Sequence, residues 1–333
     1  MTTELRREPI VDRWVLVRTT KAWGPADYEK EDNAPRHFAT SPFIYGREHF
    51  TPPEVDSIRP DGSAPNTPGW QCRVVPNKFP ALRIEGELEK HGEGIFDVSN
   101  GIGAHEVLIE TPDPKKQLAD LPVEEIEGIL RLYINRRNSL AKDPRFKYIM
   151  IFKNYGESAG TSIEHAHSQI IALPMIPINV REELEGAKEY YQYRGRNIFV
   201  DLMQQEYQDK DRIVTENDDF VCFCPFVPRY SFESWILPKK EDSRFNKLSD
   251  GERRNLASIL KDILTRIKTC LSDPSYNFYL HIAPVDYEHE ESFLWHIEIV
   301  PKLTHVAGFE WNTGFYVVNT PPEKAAELLR KAK

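Results

Sequence analysis

Apolar residues recur at helical spacing in two distant stretches of the chain. Ile129, Leu130, Leu132, Tyr133, Ile134 and Leu140 follow Leu118-Ala-Asp-Leu-Pro-Val-Glu-Glu-Ile-Glu127 and lead to Asp143-Pro144. Leu256, Ile259, Leu260, Ile263, Leu264 and Ile267 follow Lys247-Leu-Ser-Asp-Gly-Glu252 and lead to Asp273-Pro274. Each pattern predicts a long helix with one buried face. After each helix comes an apolar strand, residues 146–152 and 276–282, then a loop, then a histidine-bearing strand that ends in proline. Those last strands run from His165 to Pro174 and from Trp295 to Pro301. Upstream, Glu106-Val-Leu-Ile-Glu-Thr-Pro112 matches Glu233-Ser-Trp-Ile-Leu-Pro238.

This repeated order predicts an α+β fold of two halves, each a mostly antiparallel sheet with one long helix packed on it. We place the first half at residues 1–180 and the second, with its connector, at 181–333. The polar connector from about Arg181 to Lys210 is expected to carry a helix of its own. Ser249 is a natural helix N-cap, and Glu252 three residues later completes a capping box. Residues 21–69, rich in Pro, Asp and Gly, read as long loops.

The 333 residues carry 40% hydrophobic and 29% charged side chains, as expected for a soluble globular protein. No apolar run approaches the ~20 residues of a membrane span. The opening Met-Thr-Thr-Glu-Leu-Arg-Arg-Glu lacks the apolar core of a secretory signal. A net charge of −9 argues against a general nucleic-acid binder, which needs clustered Lys and Arg, yet leaves room for a mononucleotide pocket. Cys72, Cys222, Cys224 and Cys270 are too few and scattered for a disulfide framework, so a reducing cytoplasm is expected. Cys222-Phe-Cys224 reads as buried strand packing.

The chemistry concentrates in Glu164-His165-Ala166-His167-Ser168-Gln169. On a strand, residues two apart share a face, so His165, His167 and Gln169 are expected to project together. An imidazole near neutrality serves as nucleophile, base or metal ligand, and the spacing alone leaves all three open. The run from Asn154 to Ser162 ahead of it is rich in small residues, which suits close backbone approach to an anionic phosphate. The second copy has only His296 and Glu298 at the same spacing, with no such lead. One half therefore reads as catalytic and the other as a diverged support.

Together, the two halves and the Asn…Gly-x-Ser…His-x-His-x-Gln strand resemble the galactose-1-phosphate uridylyltransferase family of the histidine-triad superfamily. Further likenesses are Arg7-Glu-Pro-Ile-Val-Asp-Arg-Trp14, Val75-Pro-Asn-Lys-Phe-Pro-Ala-Leu82, and Ala307-Gly-Phe-Glu-Trp311 with Thr313-Gly314. The resemblance implies that His167 is a nucleophile forming a covalent nucleotidyl-imidazole. Gln169 would hydrogen-bond the phosphoryl oxygens; Asn154, Gly160 and Ser162 would bind the α-phosphate; Asn77 would face the base or ribose. The carbonyl of His165 or a neighbour would hold the far ring nitrogen of His167 as N–H. Lys21 falls on one phosphate-contacting arginine and Gly24 on another. Glu310 lies in a C-terminal segment that closes over the partner's substrate in a homodimer.

The same resemblance implies structural zinc, and the ligands are replaced. Its Cys-Pro-x-Cys falls on Ser41 and Ile44 and its loop histidine on Pro114, leaving His165 alone. A second site retains only His296. One imidazole does not hold zinc, which needs about four ligands, so no metal cofactor is expected. Glu182, His281, His296 and Glu298 approximate a metal set of other relatives and are read first as a hydrogen-bonded cluster. Three functions follow. The first is UMP transfer between UDP-glucose and a hexose 1-phosphate such as galactose 1-phosphate. The second is an ADP-sugar or dinucleotide phosphorylase with inorganic phosphate as acceptor, and the third a non-catalytic nucleotide-binding protein. The partners expected are a nucleotide sugar and a sugar 1-phosphate, with no nucleic acid or membrane.

Overall fold

A computed structural model describes residues 2–33 and 40–332 of the chain. The first half comprises Thr3–Arg7 (β1), Trp14–Arg18 (β2), Asp56–Ile58 (β3), Cys72–Pro76 (β4), His91–Glu93 (β5), Phe96–Val98 (β6), Ala104–Ile109 (β7), Val123–Leu140 (α1), Tyr148–Tyr155 (β8) and His167–Leu173 (β9). Two helices follow, Ile178–Arg194 (α2) and Ile198–Asp209 (α3). The remainder is Ile213–Glu216 (β10), Phe220–Phe223 (β11), Ser234–Pro238 (β12), Asp250–Leu271 (α4), Tyr276–His281 (β13), His296–Pro301 (β14), Gly308–Thr313 (α5), Tyr316–Val318 (β15) and Pro322–Lys331 (α6).

The halves join in one ten-stranded antiparallel sheet, ordered β10-β11-β12-β14-β13-β8-β9-β7-β4-β3. The seam is the β8–β13 pair, which sets Asn154 opposite Asn277. Strands β1 and β2 form a separate small sheet that the C-terminal β15 joins in parallel.

Alternation along the strands decides what each face does. Ile149 and Ile151 of β8, Ile170 and Ala172 of β9, and Ile297 and Ile299 of β14 are buried in the main core with the apolar stripes of α1 and α4. Each fully buried Ile, Leu or Phe side chain contributes roughly 1.5–3 kcal/mol. The opposite face carries His167 and Gln169 on β9 and His296 and Glu298 on β14.

The α4 N-terminus is the capping box expected from sequence: Ser249 accepts from the Glu252 N–H, and Glu252 returns a bond to the Ser249 N–H at 2.8 Å. The connector holds two helices rather than one, because Gly195 turns left-handed (φ 67°) and ends α2, and Asn197 then caps α3. These helices cover the His296 face of the second half. Phe199 of α3 lies 5.1 Å from the His296 ring, and Glu183 of α2 reaches His281 and His296. The charged position is therefore Glu183 and not Glu182, which faces solvent; one residue along a helix is a rotation of about 100°. Cys222 and Cys224 are both buried.

Candidate active site

His167 opens β9 and is 8% exposed. Its Nδ1 donates to the carbonyl of His165 at 2.8 Å, which fixes the tautomer and leaves the lone pair on Nε2. Burial, with Lys153 as the next cause, pushes its pKa down to about 4, so the ring is neutral at physiological pH. Beneath the strand, the Lys153 ammonium donates to the His167 carbonyl at 3.1 Å and to Glu110 at 2.8 Å. Lys153 and Glu110 are 1% and 0% exposed.

His165 precedes the strand and has a different task. Its Nε2 donates to the Thr111 carbonyl at 2.7 Å while Nδ1 accepts from the Ser41 hydroxyl at 2.9 Å. Phe43 packs edge-on against both rings at 5.8 Å. Both nitrogens of His165 are thus committed, and Ser41, Ile44 and Pro114 supply no strong zinc donors. The residues present do not fit a zinc ion there.

Gln169, two residues along the same face, accepts from His105 Nε2 at 2.7 Å. The tautomer of His105 is set by Ala81, whose N–H donates to Nδ1 at 3.1 Å. This orients the Gln169 amide with its NH2 group free to donate. The Asn77 side-chain nitrogen lies 3.0 Å from the same His105 nitrogen, while its Oδ1 caps the turn at Phe79. His105 thus donates to Gln169 and only adjoins the Asn77 NH2, since a protonated Nε2 cannot accept from it. Sequence reasoning missed His105, and its one signal is the polar residue within the apolar β7, in register opposite Ile171 and near Gln169.

Asn154 ends β8, and the chain then makes a 3-10 turn at Glu157–Ala159 and a left-handed step at Gly160 (φ 86°). A cavity of about 510 Å³ opens along this loop, lined by Tyr155, Gly156, Ser158, Thr161 and Ser162, with Glu31 facing them. Asn154, Gly160 and Ser162 lie on the segment that joins β8 to the His167 strand, and of the three Ser162 lines the cavity. Lys21 and Glu310 are not among the residues that line this cavity. Lys21 is exposed in a left-handed turn (φ 51°) beyond β2, and the Glu310 carboxylate caps its own helix at the Ala307 N–H, 3.0 Å away.

The matching face of the second half holds an ion-pair cluster. His281 Nδ1 is 2.9 Å from Glu183 and Nε2 is 3.2 Å from Glu298; Arg229 bonds both Glu298 and Glu233. The two carboxylates outweigh burial and raise the His281 pKa to about 10. Glu183, His281 and His296 are the group that would hold a divalent ion, their ligand atoms lying within 4.8 Å of one another. His296 Nε2 has no hydrogen-bond partner, whereas His281 keeps a proton that a metal would have to displace. The set fits an ion only with His281 deprotonated. Arg229 and Glu233 were not anticipated.

A duplicated α+β fold with a neutral, tautomer-fixed imidazole opening a sheet strand fits a histidine-triad-type nucleotidyltransferase. Comparison with known proteins makes this specific. The N-terminal domain of galactose-1-phosphate uridyl transferase matches residues 2–177, and the C-terminal domain matches residues 183–321. The chain belongs to that family. It is 36% identical to the ADP-glucose phosphorylase of Arabidopsis thaliana, over 98% of this chain and 92% of that one. It is 28% identical to the galactose-1-phosphate uridylyltransferase of Haemophilus influenzae, over 98% and 93%. A crystal structure of the Arabidopsis thaliana ADP-glucose phosphorylase with bound ADP-glucose superposes with a TM-score of 0.85 at 34% identity, covering 100% and 99% of the two chains.

Proposed function

We propose that the chain is a nucleotide-sugar phosphorylase acting on ADP-glucose through a covalent intermediate on His167. The observation that carries the covalent step is the His167 ring, with Nδ1–H held by the His165 carbonyl at 2.8 Å. The Nε2 lone pair attacks the α-phosphorus, an N–P bond forms, and the bond to the sugar-phosphate oxygen breaks with its electron pair leaving on that oxygen. The Gln169 and Asn154 amides supply donors to the phosphoryl oxygens as charge shifts. Inorganic phosphate then attacks from the vacated side, and the N–P pair returns to Nε2.

The preference for an adenine nucleotide and phosphate rests on the higher identity to a phosphorylase, 36% against 28%. UMP transfer from UDP-glucose to a hexose 1-phosphate is the second reading, supported by the family as a whole. In either case residues 1–180 form the catalytic half and 181–333 the support. The protein is read as a cytoplasmic homodimer that binds nucleotide sugar and sugar 1-phosphate and needs no structural zinc at His165. Intact-mass measurement after incubation with ADP-glucose or UDP-glucose alone tests the reading. A nucleoside monophosphate adduct is expected, lost in His167→Ala, and phosphate against hexose 1-phosphate as acceptor separates the two functions. No adduct with either donor refutes both.

A further inference from the structure

Asn277 belongs to β13 of the second half, yet its side chain serves the first. It is 5% exposed, and its amide nitrogen lies 2.8 Å from Asn154 Oδ1 and 2.9 Å from the Ala159 carbonyl. A carbonyl oxygen only accepts, so the Asn277 atom facing Ala159 is the NH2 group. That nitrogen also faces Asn154, whose atom there must be the acceptor. Both Asn277 hydrogens are thereby used. The Asn154 NH2 is left pointing toward the loop, where a Cβ placed on Gly160 would stand 3.9 Å from it.

Ser275, two residues earlier and fully buried, meets the start of the same loop. A Cβ at Gly156 would come within 1.9 Å of its hydroxyl, so only glycine permits this approach, and Gly156 is also left-handed (φ 82°). Ser275, just before β13, and Asn277 on it thus bracket the loop at both ends, at Gly156 and at Ala159.

We infer that Asn277 is a positioning residue: it presents the Asn154 amide as a donor and pins the 157–160 turn for the transferring phosphoryl group. The inference rests on the covalent reading above for its chemistry, and on contacts within the chain for its geometry. It gives the second half a part in the reaction, since β13, the counterpart of β8 in the repeat, shapes the phosphate loop. Without Asn277 the Asn154 amide rotates freely and presents oxygen to an anionic oxygen about as readily as nitrogen.

The test combines hydrogen exchange with single-turnover adduct formation in Asn277→Ala, Asn277→Ser, Asn154→Ala and the Asn154→Ala/Asn277→Ala double variant. Removing one preorganised donor slows such a step about 100-fold. Asn277→Ala is expected to slow adduct formation roughly tenfold or more at saturating donor, with donor affinity changed much less. In the Asn154→Ala background the same change has a clearly smaller effect, because part of its path is already gone. Amides 156–162 exchange faster in Asn277→Ala whether or not chemistry occurs. Asn277→Ser keeps a hydroxyl donor and carries the test if the alanine variant does not fold. Unchanged exchange and adduct rate in the folded variants overturn the inference, as do rate effects that multiply fully in the double variant. If the unmodified protein forms no adduct, the covalent reading fails, while the exchange arm still decides whether Asn277 pins the loop.

Discussion

Lowering the pH from 7 toward 4 probes one atom of the site, the Nε2 lone pair of His167. An ordinary imidazole takes its proton near 6.5, whereas burial and then Lys153 hold this ring down to about 4. That difference is worth about 3 kcal/mol against ionisation. At pH 5.5 an ordinary histidine would be roughly 9% neutral, and His167 about 97% neutral, a tenfold contrast. Rapid-quench measurement of adduct formation from ADP-glucose should therefore show a rate nearly flat from pH 7 to 5.5 that halves near pH 4. The pyrophosphate of the donor has no group titrating in this window. Stability carries the same signature. Because the folded pKa lies below the unfolded one, the unfolded chain binds more protons between 6.5 and 4, and stability falls with pH across that window. Replacing His167 by Asn removes this loss, so the variant gains about 3 kcal/mol relative to the parent between pH 7 and pH 4. A rate that drops tenfold by pH 5.5, with a midpoint near 6.5, refutes the buried neutral nucleophile.

Two further outcomes follow from buried charge. Lys153→Met strands the Glu110 carboxylate, one oxygen of which already has no partner, and should cost about 3–5 kcal/mol in urea unfolding. Lys153→Met/Glu110→Met should recover most of that, and failure to recover places the loss in the bond to the His167 carbonyl. His281→Asn, in metal-free protein, removes an imidazolium whose folded pKa of about 10 exceeds its ordinary 6.5. The contribution of that proton is complete below 6.5 and fades as pH rises through 10, so the variant's deficit in melting temperature should be largest near pH 6 and smallest near pH 10.

The long helices were legible because Leu256 through Ile267 repeat one apolar face over many turns, a signal that survives single exceptions. The proposed nucleophile, His167, could be singled out because His-x-His-x-Gln is local. Lys153, His105 and Asn277 were not, because each acts through a partner far along the chain: Glu110, Gln169 and Asn154. Each stands as a polar residue inside a largely apolar strand, but the pattern along the chain does not say which distant partner it meets. The surroundings of His165 were partly readable. The missing thiolates gave the ring no metal partners to expect, and the structure shows Ser41 and the Thr111 carbonyl satisfying its two nitrogens.

The divergence of the halves has its origin in a segment with no counterpart in the repeat. Both histidine strands present the same face of one continuous sheet, so strand geometry alone does not make one catalytic. What differs is the cover. Connector helices α2 and α3 press Glu183 and Phe199 onto the His296 face, and Gly186 approaches the Ile10 carbonyl so closely that a Cβ would stand 1.7 Å from it. The polar residues of that face are compensated internally by Arg229 and His281. The loop between β8 and β9, which leads to His167, instead borders a cavity of about 510 Å³. Comparing the repeats could show that His296 and Glu298 had lost the Gln and the small-residue lead. It could not show what covers that face, because the connector that packs on it appears once in the chain.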